Sequence, residues 1–440
     1  MNVQQFTIEK ITADLTRHIR MNKSFSIWMA FLTTGMLVCL YAYSLQLRFG
    51  MGVTGLRDYV SWGMYIANFV FFVATSLIGM LISGVLGLIG IKWMNPISRI
   101  AEIIAVGFAA VAGLIIVMDM GRPERLAYVF IYGRFQSPIV WDVTVVLTYL
   151  MLSLLLYFLP MIPDLAIASK KADKLPAWLK PVYKSLSLNW VNNPGQNKII
   201  QNSVRILLIL LIPAALSIHT VTSWLFAMTL RSGWDSSIFG PYFVAGAFVA
   251  GCSAVIIAMY FFRINYKLQD YITLRHFNYM GKLLVLVCFI YLYFNVNEFL
   301  VPGYKLKRTD AIGLEDMLAG RFAILFWSIQ FGGLILPIIL GLIRYMRRPL
   351  PLMIISVAVL LGAWFKRYII VVPTQEHPFL PIQHVPDNFK IYTPTLTETG
   401  ITLFSFFLVL FIITILSKFF PVVPIRDTAK DCGVDENVMN

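Results

Sequence analysis

Ten apolar runs cut the chain, each long enough to cross the hydrocarbon core of a bilayer. They fall at about 25–47, 62–90, 97–119, 138–162, 203–228, 239–263, 280–301, 320–344, 349–371 and 397–420. A spanning helix needs roughly 20 apolar residues. Inside the membrane every backbone N–H and C=O must also be satisfied within the protein. The runs therefore restrict the fold to an all-α polytopic membrane protein with about ten transmembrane helices. Composition agrees. Only 13% of the residues are charged, about half the usual share of a soluble protein, and mean hydropathy is +0.75. The net charge of +14 does not point to nucleic acid, because Lys and Arg of membrane proteins gather in cytoplasmic loops.

Of 36 Lys and Arg, 23 fall on the N-terminal side of the spans and 13 on the other. The positive-inside rule predicts two cytoplasmic termini, in the inner membrane of a bacterium or archaeon. The side opposite the termini is called outer below. The loop 163–202 is the most basic, with Lys170, Lys171, Lys174, Lys180, Lys184 and Lys198. Anionic lipid headgroups or a cytoplasmic partner protein are its natural contacts, although the general bias explains it equally well. Residues 1–24 form a polar cytoplasmic arm. There Phe6, Ile8, Ile11, Leu15 and Ile19 recur at helical spacing, which predicts an amphipathic helix lying on the membrane surface.

A weak internal repeat orders the rest. DYVSWGMY at 58–65 and DSSIFGPY at 235–242 place Asp, an aromatic residue, Gly and Tyr in the same register, 177 residues apart. Both copies open a span from the outer side, so the repeat is parallel. The expected organisation is a first span and outer loop (25–61), a four-helix bundle (62–228) and a second four-helix bundle (229–371). An outer loop with the last span (372–420) and a cytoplasmic tail (421–440) complete it.

Ionisable residues inside spans are functional candidates by default. Asp119 ends the third span on the outer side, and Asp142 lies one turn into the fourth. Arg122, Arg125 and Arg134 stand between them. Tyr59 and Trp62 open the second span, Trp141 precedes Asp142, His219 lies in the fifth span and Glu298 closes the seventh. All belong to the outer leaflet, which scattered structural polar groups would not favour. Each also has a structural reading. The acids suit helix ends or Arg partners, His219 suits an interhelical hydrogen bond, and the tryptophans suit an aromatic belt. Glu102 near the inner end of the third span, with Ser83, Gln330, Lys366 and Arg367, supplies steps for a proton path. Local hydrogen bonding between helices is the alternative.

Acids and a histidine at this depth suit a quinol, which releases two electrons and two protons on oxidation. Its site needs an apolar slot open to lipid and groups that take protons near one aqueous side. Haem is disfavoured, because only His219 of five histidines is clearly within a span. Cys39, Cys252, Cys288 and Cys432 form no C-x-x-C pair, so neither an iron–sulfur cluster nor another metal site is expected in this chain. Electrons would then leave to another subunit. A transporter without redox function and a purely structural membrane anchor for an outer redox protein are the competing readings.

The motifs D-M-G-R-P at 119–123, S-P-I-V-W-D at 137–142, T-Y at 148–149 and I-P-D-L at 162–165 resemble those of the NrfD-like family of polysulfide reductase membrane subunits. Y-x-P-T at 392–395, followed by Glu398, and K-F-F-P at 418–421 resemble its ten-span branch. That branch occurs in alternative complex III and in sulfur-cycle (DsrP-like) and cytochrome-linked complexes. The resemblance implies a subunit exchanging electrons between the menaquinone or ubiquinone pool and a ferredoxin-like iron–sulfur subunit, near the periplasmic side. A multihaem cytochrome and further membrane subunits are implied as additional partners. In the alternative complex III branch, an Asp after Trp in S-P-x-x-W-D contacts the quinol, and it maps onto Asp142. A histidine of that branch is replaced here by Asp119, and the connector is shorter. Both differences place the chain nearer the sulfur-metabolism or cytochrome-linked members.

Overall fold

The computed structural model describes residues 7–19, 21–172, 175–229, 231–378 and 384–434. Among the described residues ten helices are long and apolar enough to cross a membrane: Lys23–Val53, Met64–Leu86, Asn95–Asp119, Pro138–Lys171, Pro194–Ala227, Phe239–Asn265, Leu274–Lys305, Ala323–Leu342, Pro349–Glu376 and Leu396–Phe419. They are the ten runs of the sequence, here numbered spans 1 to 10. Several outlast their apolar stretch. Span 5 begins at Pro194 rather than near 203, and span 7 runs from Leu274 to Lys305 rather than from 280 to 301. A helix need not stop where its side chains become polar, because its backbone bonds are internal and its ends stand in water.

Spans 2 to 5 pack as a closed ring, each against the next and span 5 back against span 2. Spans 6 to 9 do the same. Spans 2 and 6 lie back to back at the centre. Gly251 permits their close crossing, since a Cβ there would stand 2.6 Å from Cβ of Ile78 and 3.0 Å from the Thr75 carbonyl oxygen. Spans 1 and 10 pair with each other and lean on span 3. In the two proposed repeat copies, Tyr65 and Tyr242 are both fully buried and both donate to a side-chain amide oxygen. The acceptors are Gln46 at 2.8 Å and Asn295 at 3.0 Å. This likeness supports the parallel repeat, which remains a proposal.

The N-terminal arm corrects the sequence reading. Its helix Ile8–Thr16 forms, capped by Thr7, but Ile8, Ile11, Leu15 and Ile19 are buried by protein. They pack on the extension of span 4 (Ile162–Lys171) and on the tail helix Ile425–Asp431. An amphipathic pattern reports that an apolar partner exists, not whether it is lipid or protein. Phe6 of that pattern, Lys174 of the basic loop and the tail beyond residue 434 lie outside the described residues. The same packing places the N- and C-terminal segments on one side of the bundle.

Two polar clamps hold the ends of the spans. On the side of the termini, Arg99 of span 3 pairs with Asp164 at 2.6 Å, both side chains only 1% exposed. The second Asp164 oxygen accepts the Arg426 backbone N–H at 2.8 Å, which locks the tail helix in place. On the opposite side, the Tyr392 hydroxyl donates to Glu398 at 2.5 Å and accepts the Met64 N–H at 2.9 Å. The other Glu398 oxygen accepts the backbone N–H of Gly55 at 2.8 Å and of Thr395 at 2.9 Å, a capping box that starts span 10. Burial first, then the Glu398 carboxylate, pushes the Tyr392 hydroxyl well up, so it stays protonated and donates.

Asp164→Ala would strand the buried Arg99 guanidinium, at a cost of about 3–5 kcal/mol. A lower melting temperature in detergent is the expected reading, with much of the loss recovered in the double variant Arg99→Met, Asp164→Leu. An unshifted melting curve for Asp164→Ala would show that the pair carries no stability. Tyr392→Phe removes one charge-assisted hydrogen bond and leaves the Met64 N–H without its acceptor. Roughly 1.5–3 kcal/mol of destabilisation is expected by the same measurement.

Candidate functional site

Span 4 begins at Pro138, directly after Ser137, where proline is pre-organised for the first helical position. Asp142 follows one turn later and is 2% exposed. Its carboxylate accepts a hydrogen bond from Thr222 Oγ1 of span 5 at 2.6 Å. Along span 5, Ala215, His219, Thr222 and Phe226 recur at helical spacing and all are buried, forming one inward face. His219 Nδ1 lies 3.2 Å from the Ala215 carbonyl oxygen. A carbonyl only accepts, so Nδ1 carries the proton. In the neutral ring Nε2 is then a bare acceptor, buried and without a partner.

Asp119 stands elsewhere. It is half-buried at the end of span 3, with Oδ1 buried and unpartnered. Its surroundings are spans 1, 2 and 10. Gln46 donates to the Met118 carbonyl at 2.6 Å and accepts from Tyr65 at 2.8 Å. Asp119 and Glu398 both lie within electrostatic range of the Tyr65 hydroxyl. No hydrogen bond among the described residues joins Asp119 to Asp142, and the two acids face different neighbours. Arg122 is exposed and has no ion pair among the described residues.

The aromatic candidates fall into two groups. Trp141 donates its indole N–H to the Phe135 carbonyl and meets Trp224 edge to face, with centroids 6.4 Å apart. Trp62 stacks on Trp234 at 5.7 Å and meets Phe226 at 5.4 Å, one turn from Thr222. That aromatic group continues through Phe239 and Phe243 into the second bundle. Tyr59 belongs to a separate apolar cluster with Val60, Phe322, Val372 and Tyr392.

The second bundle holds a buried polar network. Tyr291 donates to the Tyr242 hydroxyl at 3.2 Å, Tyr242 to Asn295 at 3.0 Å, and Asn295 to Gln330 at 2.6 Å. Glu298 approaches Lys366 at 3.3 Å. Lys366 lines a cavity of about 50 Å³ beside Glu298 and a second of about 20 Å³ beside Arg367, Asn295 and Gln330. Arg367 is 2% exposed, with Nε and Nη1 unpartnered. Its guanidinium lies against Gly246, where a Cβ would come within 2.6 Å of Nη2. The Arg367 guanidinium lies 5.1 Å from the Phe243 ring, which packs on Phe226 of span 5, so it stands near the seam of the two bundles.

Glu102 lies at the other end of the molecule. It accepts from Ser83 at 3.0 Å beside the Arg99–Asp164 pair, and no hydrogen bond among the described residues ties it to Arg367. Sequence reasoning did not single out Arg99 or Tyr291, and met Tyr242 only as the last residue of the repeat. Tyr291 stands one turn before Asn295, the only local signal for it. Among the described residues no three His, Cys, Asp or Glu side chains are grouped to hold a metal ion.

Two buried sets of proton-holding groups thus flank the interface between bundles: Asp142 with Thr222 and His219, and Glu298 with Lys366 and the tyrosine–amide network. Arg367 lies between them. Comparison with known proteins adds the following. A protein of Halobacterium salinarum provisionally described as a membrane subunit of dimethyl sulfoxide reductase is 30% identical over 232 residues, 52% of this chain and 50% of its own length. The chain thus spans about half of that relative. A selenate reductase subunit of Mesobacillus selenatarsenatis is 27% identical over 84% of this chain and 88% of its own. The menaquinone reductase integral membrane subunit of Nitratidesulfovibrio vulgaris is 22% identical over 91% and 92%. The family model described as polysulphide reductase, NrfD, matches residues 52–378, and the chain belongs to that family.

Proposed function

We propose that this protein is the quinone-reactive membrane subunit of a respiratory oxidoreductase. In this reading it exchanges electrons between the menaquinone pool and an iron–sulfur partner subunit. The observation that carries the reading is the buried Asp142–Thr222 pair, one helical turn from a His219 whose Nε2 lacks a partner. A buried acceptor without a donor is costly unless something fills it. Asp142 and His219 Nε2 are two proton acceptors on facing helices, and a quinol ring presents two hydroxyl donors.

A quinol supplies two electrons and two protons. Asp142 takes one proton and His219 Nε2 the other, while Thr222 holds the carboxylate in place. Trp141 and Trp62 supply flat apolar walls on either side. Arg367, Lys366 and Glu298 continue the polar route toward the outer cavity, where protons leave or enter. Asp119, held among other neighbours, serves as a proton relay at the outer edge. Glu102 is an uptake step at the opposite end. The electrons pass to a cluster on the partner. Menaquinone is favoured over ubiquinone because one relative is named a menaquinone reductase subunit. Another, of Archaeoglobus fulgidus, is named a menaquinol oxidoreductase subunit. The partner's docking surface is the connector between spans 3 and 4. It exposes Tyr132 and Phe135, at 74% and 86%, beside Arg122, Arg125 and Arg134.

Binding of a quinol-analogue inhibitor to the purified complex tests the site. Asp142→Asn removes a charge-assisted hydrogen bond and should weaken binding about 10- to 100-fold with assembly intact. Thr222→Val should weaken it less. A wild-type complex that keeps its metal-bearing partners and binds no analogue would sink the reading. Glu298→Gln should leave analogue binding unchanged and slow quinol-linked turnover. Unchanged turnover in that variant would remove the second bundle from the proton route.

A further inference from the structure

A large cavity lies away from the candidate quinone site. A cleft of about 1030 Å³ opens on the side of the termini, between the N-terminal arm and spans 1, 3, 6, 9 and 10. Its walls are apolar and include Phe108, Ile257, Leu360 and Leu410. Leu410 and the neighbouring Phe261 are 42% and 48% exposed, so the cleft can be reached from the hydrocarbon phase. Its rim is cationic. Arg17 lies just before span 1 and Lys267 just after span 6, both exposed, while Lys418 in the last turn of span 10 is buried with its ammonium 4.5 Å from the Phe25 ring. Among the described residues that line it, none is acidic.

His18 stands in the same wall, 7% exposed and stacked on Tyr266 at 4.4 Å. Its Nε2 lies 3.2 Å from the Phe420 carbonyl oxygen and therefore donates, which leaves Nδ1 a buried acceptor without a partner. Burial holds the imidazole down to about 4, so the ring is neutral at physiological pH. The wall thus offers apolar surface, positive charge at the rim and an unfilled acceptor. A quinol has hydroxyl donors that match His18 Nδ1, but neither quinol nor quinone carries the negative charge that the rim calls for. An anionic phospholipid matches all three when its headgroup carries hydroxyl donors.

We infer that this cleft is a binding site for one anionic phospholipid, with its acyl chains along the walls formed by spans 3, 6, 9 and 10. The phosphate is held by Arg17 and Lys267 at the basic face, with Lys418 adding positive charge from the wall behind them. The lipid fills the gap left between the second bundle and the span 1–span 10 pair, which meet beside it at Trp364 and Phe406, 5.9 Å apart. It is distinct from the proposed quinone site at the opposite end.

The full chain, stripped of lipid in detergent, would be titrated with phosphatidylglycerol and with phosphatidylcholine of identical acyl chains. Retained lipid is counted by native mass spectrometry. The wild type should hold one phosphatidylglycerol in clear preference to phosphatidylcholine. In Arg17→Gln, Lys267→Gln, both side chains exposed and remote from the core, that preference should fall roughly five-fold for each charge removed. Ile257→Trp, which fills the cleft, should lose the retained lipid of either kind. Equal retention of the two lipids by the wild type overturns the assignment. So does a quinone that is held in the cleft, displaced by Ile257→Trp and indifferent to loss of the rim charges.

Discussion

An ionised or polar side chain inside hydrocarbon must be partnered, and this requirement sorts the buried polar residues of the chain. Burying a charge costs several kcal/mol unless a counter-charge and hydrogen bonds replace water. Arg99 and Asp164 meet that condition. Both are nearly fully buried, 2.6 Å apart, and the remaining Asp164 oxygen is bound to the Arg426 N–H. Both Asp164 oxygens are filled and only Arg99 Nε lacks a partner among the described residues, so the pair acts as a clamp. His219 Nε2, Asp119 Oδ1 and the Nε and Nη1 atoms of Arg367 do not meet it. These atoms hold unused hydrogen-bonding capacity in a medium where it is expensive to leave unused. The functional proposals rest on them for that reason, rather than on the mere presence of charge.

The backbone supports this division. Spans 2 and 8 each contain a π-helical stretch, Met80–Leu86 and Ser328–Ile335. Such stretches redirect side chains relative to a regular helix and are frequent at functional positions. In span 8 the stretch carries Gln330, which receives Asn295. Span 8 also meets span 9 where Gly333 faces Gly362, so closely that a Cβ on Gly333 would come 2.9 Å from the Gly362 Cα. Small residues bring the backbones together there, and Lys366 follows Gly362 by one turn on the helix that closes the bundle. Close packing and irregular winding together place a cation in a space too small for anything much larger than water.

The ten spans were legible because the membrane leaves no other way to satisfy a backbone, and a run of about 20 apolar residues is a direct record of that constraint. Their true ends were not, since a helix continues on its own hydrogen bonds after hydropathy stops reporting. The acids were legible as candidates, but their partners were not. Asp119 and Asp142 are separated by one short connector, and sequence proximity suggested a shared site. Their side chains leave different helices in different directions, one toward Gln46 and Tyr65, the other toward Thr222. The register of a side chain around a helix decides this, and a single sequence fixes that register poorly near a helix end. The motif I-P-D-L had the opposite fate. Its aspartate looked like part of a family signature and proves to be the partner of Arg99, a residue with no signal of its own beyond its depth.

Spans 1 and 10 complete the argument. They lie outside both rings, yet Glu398 at the start of span 10 gathers Tyr392 and the backbone of Gly55 and Thr395. Through Met64 this anchor also fixes the start of span 2, from which Tyr65 reaches Gln46 of span 1. The end of span 3, with Asp119, is therefore held by the added pair, whereas the start of span 4, with Asp142, is held by the first ring. The connector between them joins two neighbouring helices of one ring whose outer ends have different anchors. Within it Tyr128 and Tyr132 meet edge to face, and Tyr132 and Phe135 stay largely exposed. Its exposed aromatic side chains stand beside three arginines, on the face where both acids end. The two added spans thus hold from outside what the connector would otherwise have to hold itself.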